Sequence, residues 1–245
     1  MIMKAAIYHL PVVVRCRILP FTAFYSSRRN LSSTPKDSTT VYRGTFFEQR
    51  SLSILEKHLS MTLTRVGGKE DGGVDLIGWW WIPTVDSNVE EAVDFSAWKR
   101  VRVVAQCKAE KKKVAPKYVR ELEGVVYRQM YQSSQELNTL DVVNKPTIVA
   151  LFISESPFSK SALLRAMSST VPFLLVYIPP LPTNGESDSS SGGIGTVVWN
   201  PALGGTTGLL QGRMEVRWTR STTSGTDFPT MWYAGQLVPS LKPGV

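Results

Sequence analysis

A chain of 245 residues accommodates one well-packed domain with appendages and is short for two full ones. Its 42% hydrophobic and 20% charged residues suit a globular protein, and no apolar run spans a bilayer, the longest (171–178) being broken by Pro172. The formal charge of +8 is concentrated: six of the 28 basic residues (Lys4, Arg15, Arg17, Arg28, Arg29, Lys36) fall in an acid-free stretch, residues 1–36, so the rest sets 22 basic against 20 acidic side chains.

Residues 1–36 are rich in Arg and Ser and read as a cleaved mitochondrial presequence, which directs the chain to the mitochondrion and its matrix. A secretory signal is the rival reading, but Arg15 and Arg17 cut short its apolar stretch. An uncleaved tail is the bland alternative. Cys16 and His9 lie in this segment, leaving Cys107 and His58 beyond it. That excludes an intrachain disulfide, a multi-Cys zinc site and, in practice, a Ser-His-Asp triad. Gly68-Lys69 is followed by Glu70, so no phosphate-binding P-loop is present.

Thr45–Leu59 predicts an amphipathic helix with Leu52, Leu55 and Leu59 in step. Met61–Val66 alternates like a strand, residues 67–73 form a glycine-rich loop, and Val74–Ile82 is a second, apolar strand. Residues 83–98 carry Asp86, Glu90, Glu91 and Asp94 without a base, the composition of a solvated insertion. Val101–Lys108 is a third strand, followed by a basic loop. Pro116 suits a helix start, and Lys117–Gln132 presents Val119, Leu122, Val126 and Met130 on one face. Thr147–Ile153 predicts a strand, Lys160–Ser168 a helix and Phe173–Ile178 a last buried strand. This order predicts an α/β fold with a mixed central sheet flanked by helices. Residues 179–196 read as a Pro/Ser/Gly linker, and 197–245 as a β-rich extension whose Trp199, Trp218 and Trp232 are packing residues.

Three groups carry chemistry. Asp75 stands at the head of an apolar strand, on one face with Ile77 and Trp79 by alternation; such a carboxylate is costly unless paired or metal-bound, or else it ends a turn in water. Val101, Val103, Ala105 and Cys107 form one apolar face of the third strand, so Gln106 and Lys108 project together from the other. Glu48 extends the buried helix stripe, or alternatively closes a capping box with Thr45. Between Lys99 and Arg120 nine basic residues face one acid, Glu110, which suits phosphate binding or a solvated face. Trp79-Trp80-Trp81 could stack bases, or form core and sheet surface.

Taken together, Gly44-Thr45-Phe46-Phe47-Glu48, Glu70-Asp71-Gly72-Gly73-Val74-Asp75-Leu76-Ile77, Val104-Ala105-Gln106-Cys107-Lys108, the Pro116 helix with Arg120-Glu121-Leu122-Glu123-Gly124, and Ser156–Ala162 resemble the Mrr-like branch of the PD-(D/E)xK nucleases. The resemblance covers about residues 42–178 and implies a restriction-endonuclease-like domain there. The overall layout is similar to the fungal mitochondrial family described as required for respiratory growth. The resemblance implies Mg²⁺ or Mn²⁺ held by Asp75 and Gln106, with Lys108 stabilising phosphorane-like charge or helping to position the attacking water. It also implies that Glu48 orients Lys108 or supports a second metal. Lys111, Lys112, Lys113, Lys117 and Arg120 then contact DNA, with RNA the lesser candidate. Much of the wider superfamily has an acid where Gln106 stands, which implies weaker metal affinity. Two other classes stay open: a nucleic-acid-binding module without catalysis, and a respiratory-complex assembly factor that uses residues 197–245.

Overall fold

The computed structural model describes residues 36–66, 72–83, 98–136, 147–181, 193–220 and 227–238, all within one compact unit, Lys36–Val245. The presequence reading (bar Lys36), the Glu70-Asp71 pair, the acidic stretch 84–97 and residues 182–192 of the linker lie outside the described residues.

Helix α1 (Lys36–Leu59) leads into β1 (Met61–Arg65), β2 (Leu76–Pro83) and β3 (Trp98–Lys108). Helix α2 (Pro116–Glu136), β4 (Ile148–Ser154), α3 (Lys160–Met167), β5 (Phe173–Tyr177) and β6 (Thr196–Trp199) follow. A short α4 (Pro201–Gly204) precedes a three-stranded sheet of β7 (Met214–Arg220), β8 (Asp227–Tyr233) and β9 (Gln236–Leu237). The main sheet has the order β1-β2-β3-β4-β5-β6. Its β1, β2 and β3 are antiparallel, β3, β4 and β5 run parallel, and β6 returns antiparallel on β5. This is the expected mixed α/β architecture, a central mixed sheet flanked by helices.

Strand composition explains the layering. In β4 every residue of Ile148–Ser154 is buried, as a central parallel strand covered on both faces requires. On one face, Phe47, Ile54, Leu55 and Leu59 of α1 meet Val103, Ala105 and Cys107 of β3. On the other, Val119, Leu122 and Val126 of α2 and Ala162 and Ala166 of α3 meet Val104, Ala150 and Phe152. Each fully buried Leu or Phe contributes about 1.5–3 kcal/mol relative to exposure. Among the described residues, no helix is long and apolar enough to cross a membrane.

Two boundaries differ from the sequence expectation. Helix α1 begins at Lys36, nine residues before Thr45, because the β-branched Thr39-Thr40-Val41 carries little helical signal of its own yet is tolerated within a helix. The sheet also runs past residue 178. Strand β6 pairs with β5, and Leu203, Leu210, Met214, Met231, Tyr233 and Val238 enter the core beneath α1. Four-residue β6 is too short to show a period. Trp199 packs on that core as expected, whereas Trp218 is 48% exposed.

Candidate functional site at the ends of β2 and β3

Gly72 and Gly73, with φ of +64° and +84°, turn the chain into β2 through a conformation that disfavours any side chain. A Cβ at Gly72 would also lie 2.6 Å from the Arg128 guanidinium. Asp75 follows, stitched on both sides: its N–H donates to the Ala105 carbonyl at 2.9 Å, and its carbonyl accepts from the Val66 N–H at 2.9 Å. Its carboxylate Oδ2 accepts the Cys107 backbone N–H at 2.6 Å. Regular β2 starts at Leu76, and the Val66–Asp75 hydrogen bond carries the β1–β2 register one residue further. Val74 and Ile77 both pack on the α2 side, which a two-residue period cannot do. The carboxylate instead stands in for a ladder acceptor at the end of the sheet.

Gln106, one residue beyond the Leu76–Ala105 pair, is 6% exposed, and its Oε1 is buried with no hydrogen-bond partner among the described residues. An unpaired buried acceptor costs about 1–3 kcal/mol. Its Nε2 end lies under Gly73, where a Cβ would come within 3.5 Å. Gln106 and Lys108 project toward the α2 side, with Val103, Ala105 and Cys107 on the other, as alternation predicts. The Lys108 ammonium lies 5.3 Å from the centre of the Tyr118 ring, and Lys117 lies 4.7 Å from it. The Tyr118 hydroxyl donates to the Glu110 carboxylate at 3.0 and 3.2 Å.

Glu48 lies on the α1 side of the sheet. It does not close a capping box, because Thr45 is inside the helix rather than at its start. It forms an ion pair with Arg65 of β1, and Arg65 Nη2 also donates to Thr45 Oγ1 at 3.1 Å. The Cys107 thiol lies on this same α1 side. Burial pushes its pKa well up, the charges of Asp75 and Glu48 add to that, and a Ser51 hydrogen bond and Lys108 oppose it.

Asp75 and Gln106 supply a carboxylate and an amide oxygen, both hard donors of the kind Mg²⁺ and Mn²⁺ prefer. Among the described residues no three His, Cys, Asp or Glu side chains cluster as a cation site. Two protein oxygens with water completing the shell is a common Mg²⁺ arrangement, so in donor type these two side chains suit such an ion.

The basic residues separate into two groups. Lys111, Lys112, Lys113, Lys117 and Arg120 are exposed around the start of α2, on the Lys108 side. Lys99, Arg100 and Arg102 sit at the other end of β3, about 20–30 Å from Lys108 at roughly 3.3 Å per residue. Three contributors were not read from sequence. Tyr118 and Glu110 flank Lys108, and Glu155, at the end of β4, donates its N–H to the Lys108 carbonyl at 2.9 Å while its carboxylate pairs with Arg43. Only the position of Glu155 just beyond a buried parallel strand could have flagged it. Glu123, inside the α2 motif, has a structural partner: buried, it pairs with Arg165 and accepts from Ser169 Oγ at 2.5 Å.

Residues 39–201 match the family model described as Required for respiratory growth protein 7. An uncharacterised mitochondrial protein of Schizosaccharomyces pombe is 35% identical over 123 residues, which is 46% of this chain and 45% of that protein. Required for respiratory growth protein 7, mitochondrial, is 25% identical over 157 residues in Vanderwaltozyma polyspora (52% of this chain, 61% of that protein). In Saccharomyces cerevisiae it is 28% identical over 137 residues (44% and 56%). The chain spans about half the length of the curated relatives it matches. Among solved structures, the MspJI restriction endonuclease in complex with a 27-mer oligonucleotide aligns at 18% identity and a TM-score of 0.34, covering 57% of this chain and 27% of that one. With two thirds of its length matching the family model, the chain belongs to the Required for respiratory growth protein 7 family.

Proposed function

We propose that this protein is a divalent-cation-dependent phosphodiesterase acting on DNA, of the Mrr-like PD-(D/E)xK type, working in the mitochondrial matrix in support of respiratory growth or genome maintenance. One observation carries the reading: Gln106, whose buried Oε1 has no partner among the described residues, stands beside Cys107, whose N–H holds the Asp75 carboxylate, and two residues before Lys108. The mitochondrial assignment draws on the Arg/Ser-rich, acid-free residues 1–36 and on the mitochondrial names of the relatives.

Mg²⁺ or Mn²⁺, when bound, supplies Lewis acidity and a more acidic water for in-line attack on the phosphodiester. Asp75 and Gln106 would hold it. The Cys107 N–H fixes the orientation of the Asp75 carboxylate, and the Gln106 oxygen has no competing protein partner among the described residues. Lys108 offers its ammonium to a phosphate oxygen that gains charge during attack. Lys111, Lys112, Lys113, Lys117 and Arg120 neutralise the flanking phosphates, so affinity falls as salt rises.

The test is cleavage of supercoiled plasmid by the purified full-length protein with Mg²⁺ or Mn²⁺ and with EDTA. Loss of nicking in both Asp75→Asn and Lys108→Met supports hydrolysis at this site, and nicking that survives in both refutes it. A second reading, DNA binding without cleavage, is favoured by the engagement of Asp75 with the main chain and by Gln106 standing where many nucleases have an acid. It predicts an inactive wild type whose respiratory function survives Asp75→Asn but not neutralisation of Lys111, Lys112 and Lys113.

A further inference from the structure

Alternation divides the three consecutive tryptophans of β2. Trp80 is buried in the core beneath α1, with 1% exposure. Trp79 and Trp81 turn to the opposite face, are only partly buried, and pack against neither core cluster. Strand register sets Trp79 beside Arg102 and Trp81 beside Arg100. The guanidinium groups of Arg100 and Arg102 lie 4.7 and 5.3 Å from the centre of the Trp79 ring. The Trp81 indole N–H donates to Thr62 Oγ1 of β1 at 3.2 Å, which fixes that ring on the sheet. Among the described residues, neither guanidinium forms an ion pair with a carboxylate.

We propose that this face of β2 and β3 binds an unpaired DNA strand and delivers it to the Asp75–Gln106–Lys108 site. Two indoles with guanidinium planes laid over one of them make a flat, cationic, π-rich surface. Its chemical complement is a polymer that carries both exposed base faces and phosphates. Bases stack on the indoles or on the outer guanidinium planes, while the guanidinium edges pair with phosphate oxygens. In a duplex the base faces are already stacked on one another, so the surface selects unpaired strands. The platform and the candidate site share one face of β3, with the buried Val104 between them. Arg102, Val104, Gln106 and Lys108 alternate along one face of β3, so Arg102 lies about 13 Å from Gln106 at roughly 3.3 Å per residue. The inference rests on the hydrolase reading for its choice of polymer, and adds the substrate class: single-stranded DNA, or the unpaired arm of a branched molecule.

The experiment measures binding in EDTA, where metal-dependent cleavage is silent. Full-length protein is titrated into a fluorescein-labelled 15-nucleotide dT strand, a 15-base-pair duplex and a 15-nucleotide U strand, followed by anisotropy. The dT strand is expected to bind tighter than the duplex, and Trp79→Leu to weaken it by about tenfold, within the usual effect of losing one stacked base. Arg100→Gln combined with Arg102→Gln is expected to weaken binding and to reduce the salt slope by about 1.4, at roughly 0.7 for each phosphate no longer neutralised. Unchanged dT affinity in a folded Trp79→Leu protein overturns the proposal, as does an equal or stronger preference for the duplex. Tighter binding of the U strand overturns the choice of DNA. If Trp79→Leu does not fold, the arginine pair, which is peripheral to the core, decides alone: an unchanged salt slope sinks the proposal. Plasmid nicking is assayed separately. Strand binding without nicking removes the hydrolase reading and keeps the platform, whereas nicking without tryptophan-dependent strand binding does the reverse.

Discussion

Asp75 and Cys107 are joined across the start of β2: the carboxylate Oδ2 accepts the cysteine backbone N–H at 2.6 Å, and the same negative charge helps keep the cysteine thiol protonated. One side chain thus closes the strand ladder just before β2 and adds to the burial that keeps the neighbouring thiol neutral.

The thiol provides a pH signature. Burial is the main cause of its raised pKa, followed by Asp75 and Glu48. A folded pKa above the ordinary 9.0 means that the folded state favours the neutral thiol. The resulting stability is fully present below that pH and is lost as pH rises past it toward the higher folded value. Chemical denaturation between pH 8 and about 10.5 is expected to show an alkaline decline that Cys107→Ala makes shallower. In a Cys16→Ser background the native thiol should also resist Ellman's reagent at pH 8. Rapid labelling of the native protein would show that Cys107 is not buried as described.

Gln106→Glu places a carboxylate where a buried amide oxygen has no partner. In EDTA the variant should melt several degrees below wild type, because an unsatisfied buried charge costs more than the roughly 1–3 kcal/mol of a neutral group. Mn²⁺ should restore the melting temperature and bind about tenfold tighter than to wild type, one more unit of ligand charge being available. Glu48→Gln should leave Mn²⁺ affinity unchanged, since Glu48 is paired with Arg65 on the other face. A Gln106→Glu protein as stable as wild type and indifferent to Mn²⁺ would remove the case for a cation here.

Asn200 ties the far edge of the sheet together. It is 1% exposed; its Oδ1 accepts the Phe173 and Leu203 N–H groups at 2.9 and 3.0 Å, and its Nδ2 donates to the carbonyls of Ala166, Ser169 and Val171 at 2.8–3.1 Å. Truncation strands several of these backbone groups in the interior. Asn200→Ala should therefore cost about 3–5 kcal/mol, at roughly 1–3 kcal/mol for each group left unsatisfied. At about 2–4 °C per kcal/mol for a domain of this size, the melting temperature should drop by ten degrees or so. A loss of only a degree or two would mean that water replaces the side chain at little cost.

Much of the fold was legible in the chain because hydrophobic period is a local property. The apolar face of β3 through Val101, Val103, Ala105 and Cys107, the helix face of Val119, Leu122 and Val126, and the buried β4 all stand where their spacing predicts. The same alternation correctly put Gln106 and Lys108 together on the other face of β3. It stops at Val74, which packs on the same side as Ile77 and so is out of step with Leu76, just after the two glycines with φ of +64° and +84°. The β-like character of residues 197–199 is borne out by β6, but its place in the main sheet is set by pairing with a strand about twenty residues earlier.

Residue types and their order along the chain were enough to determine a mixed α/β domain, a candidate carboxylate, amide and ammonium set, and an N-terminal stretch free of acids. Partnership was decided only in three dimensions. Glu48 went to Arg65 rather than to its own helix start, the basic stretch divided between the two ends of β3, and Trp80 separated from Trp79 and Trp81. The reason is physical: period and composition act over a few residues, whereas an ion pair, an orphaned oxygen or an open aromatic face depends on which distant strand or helix lies alongside.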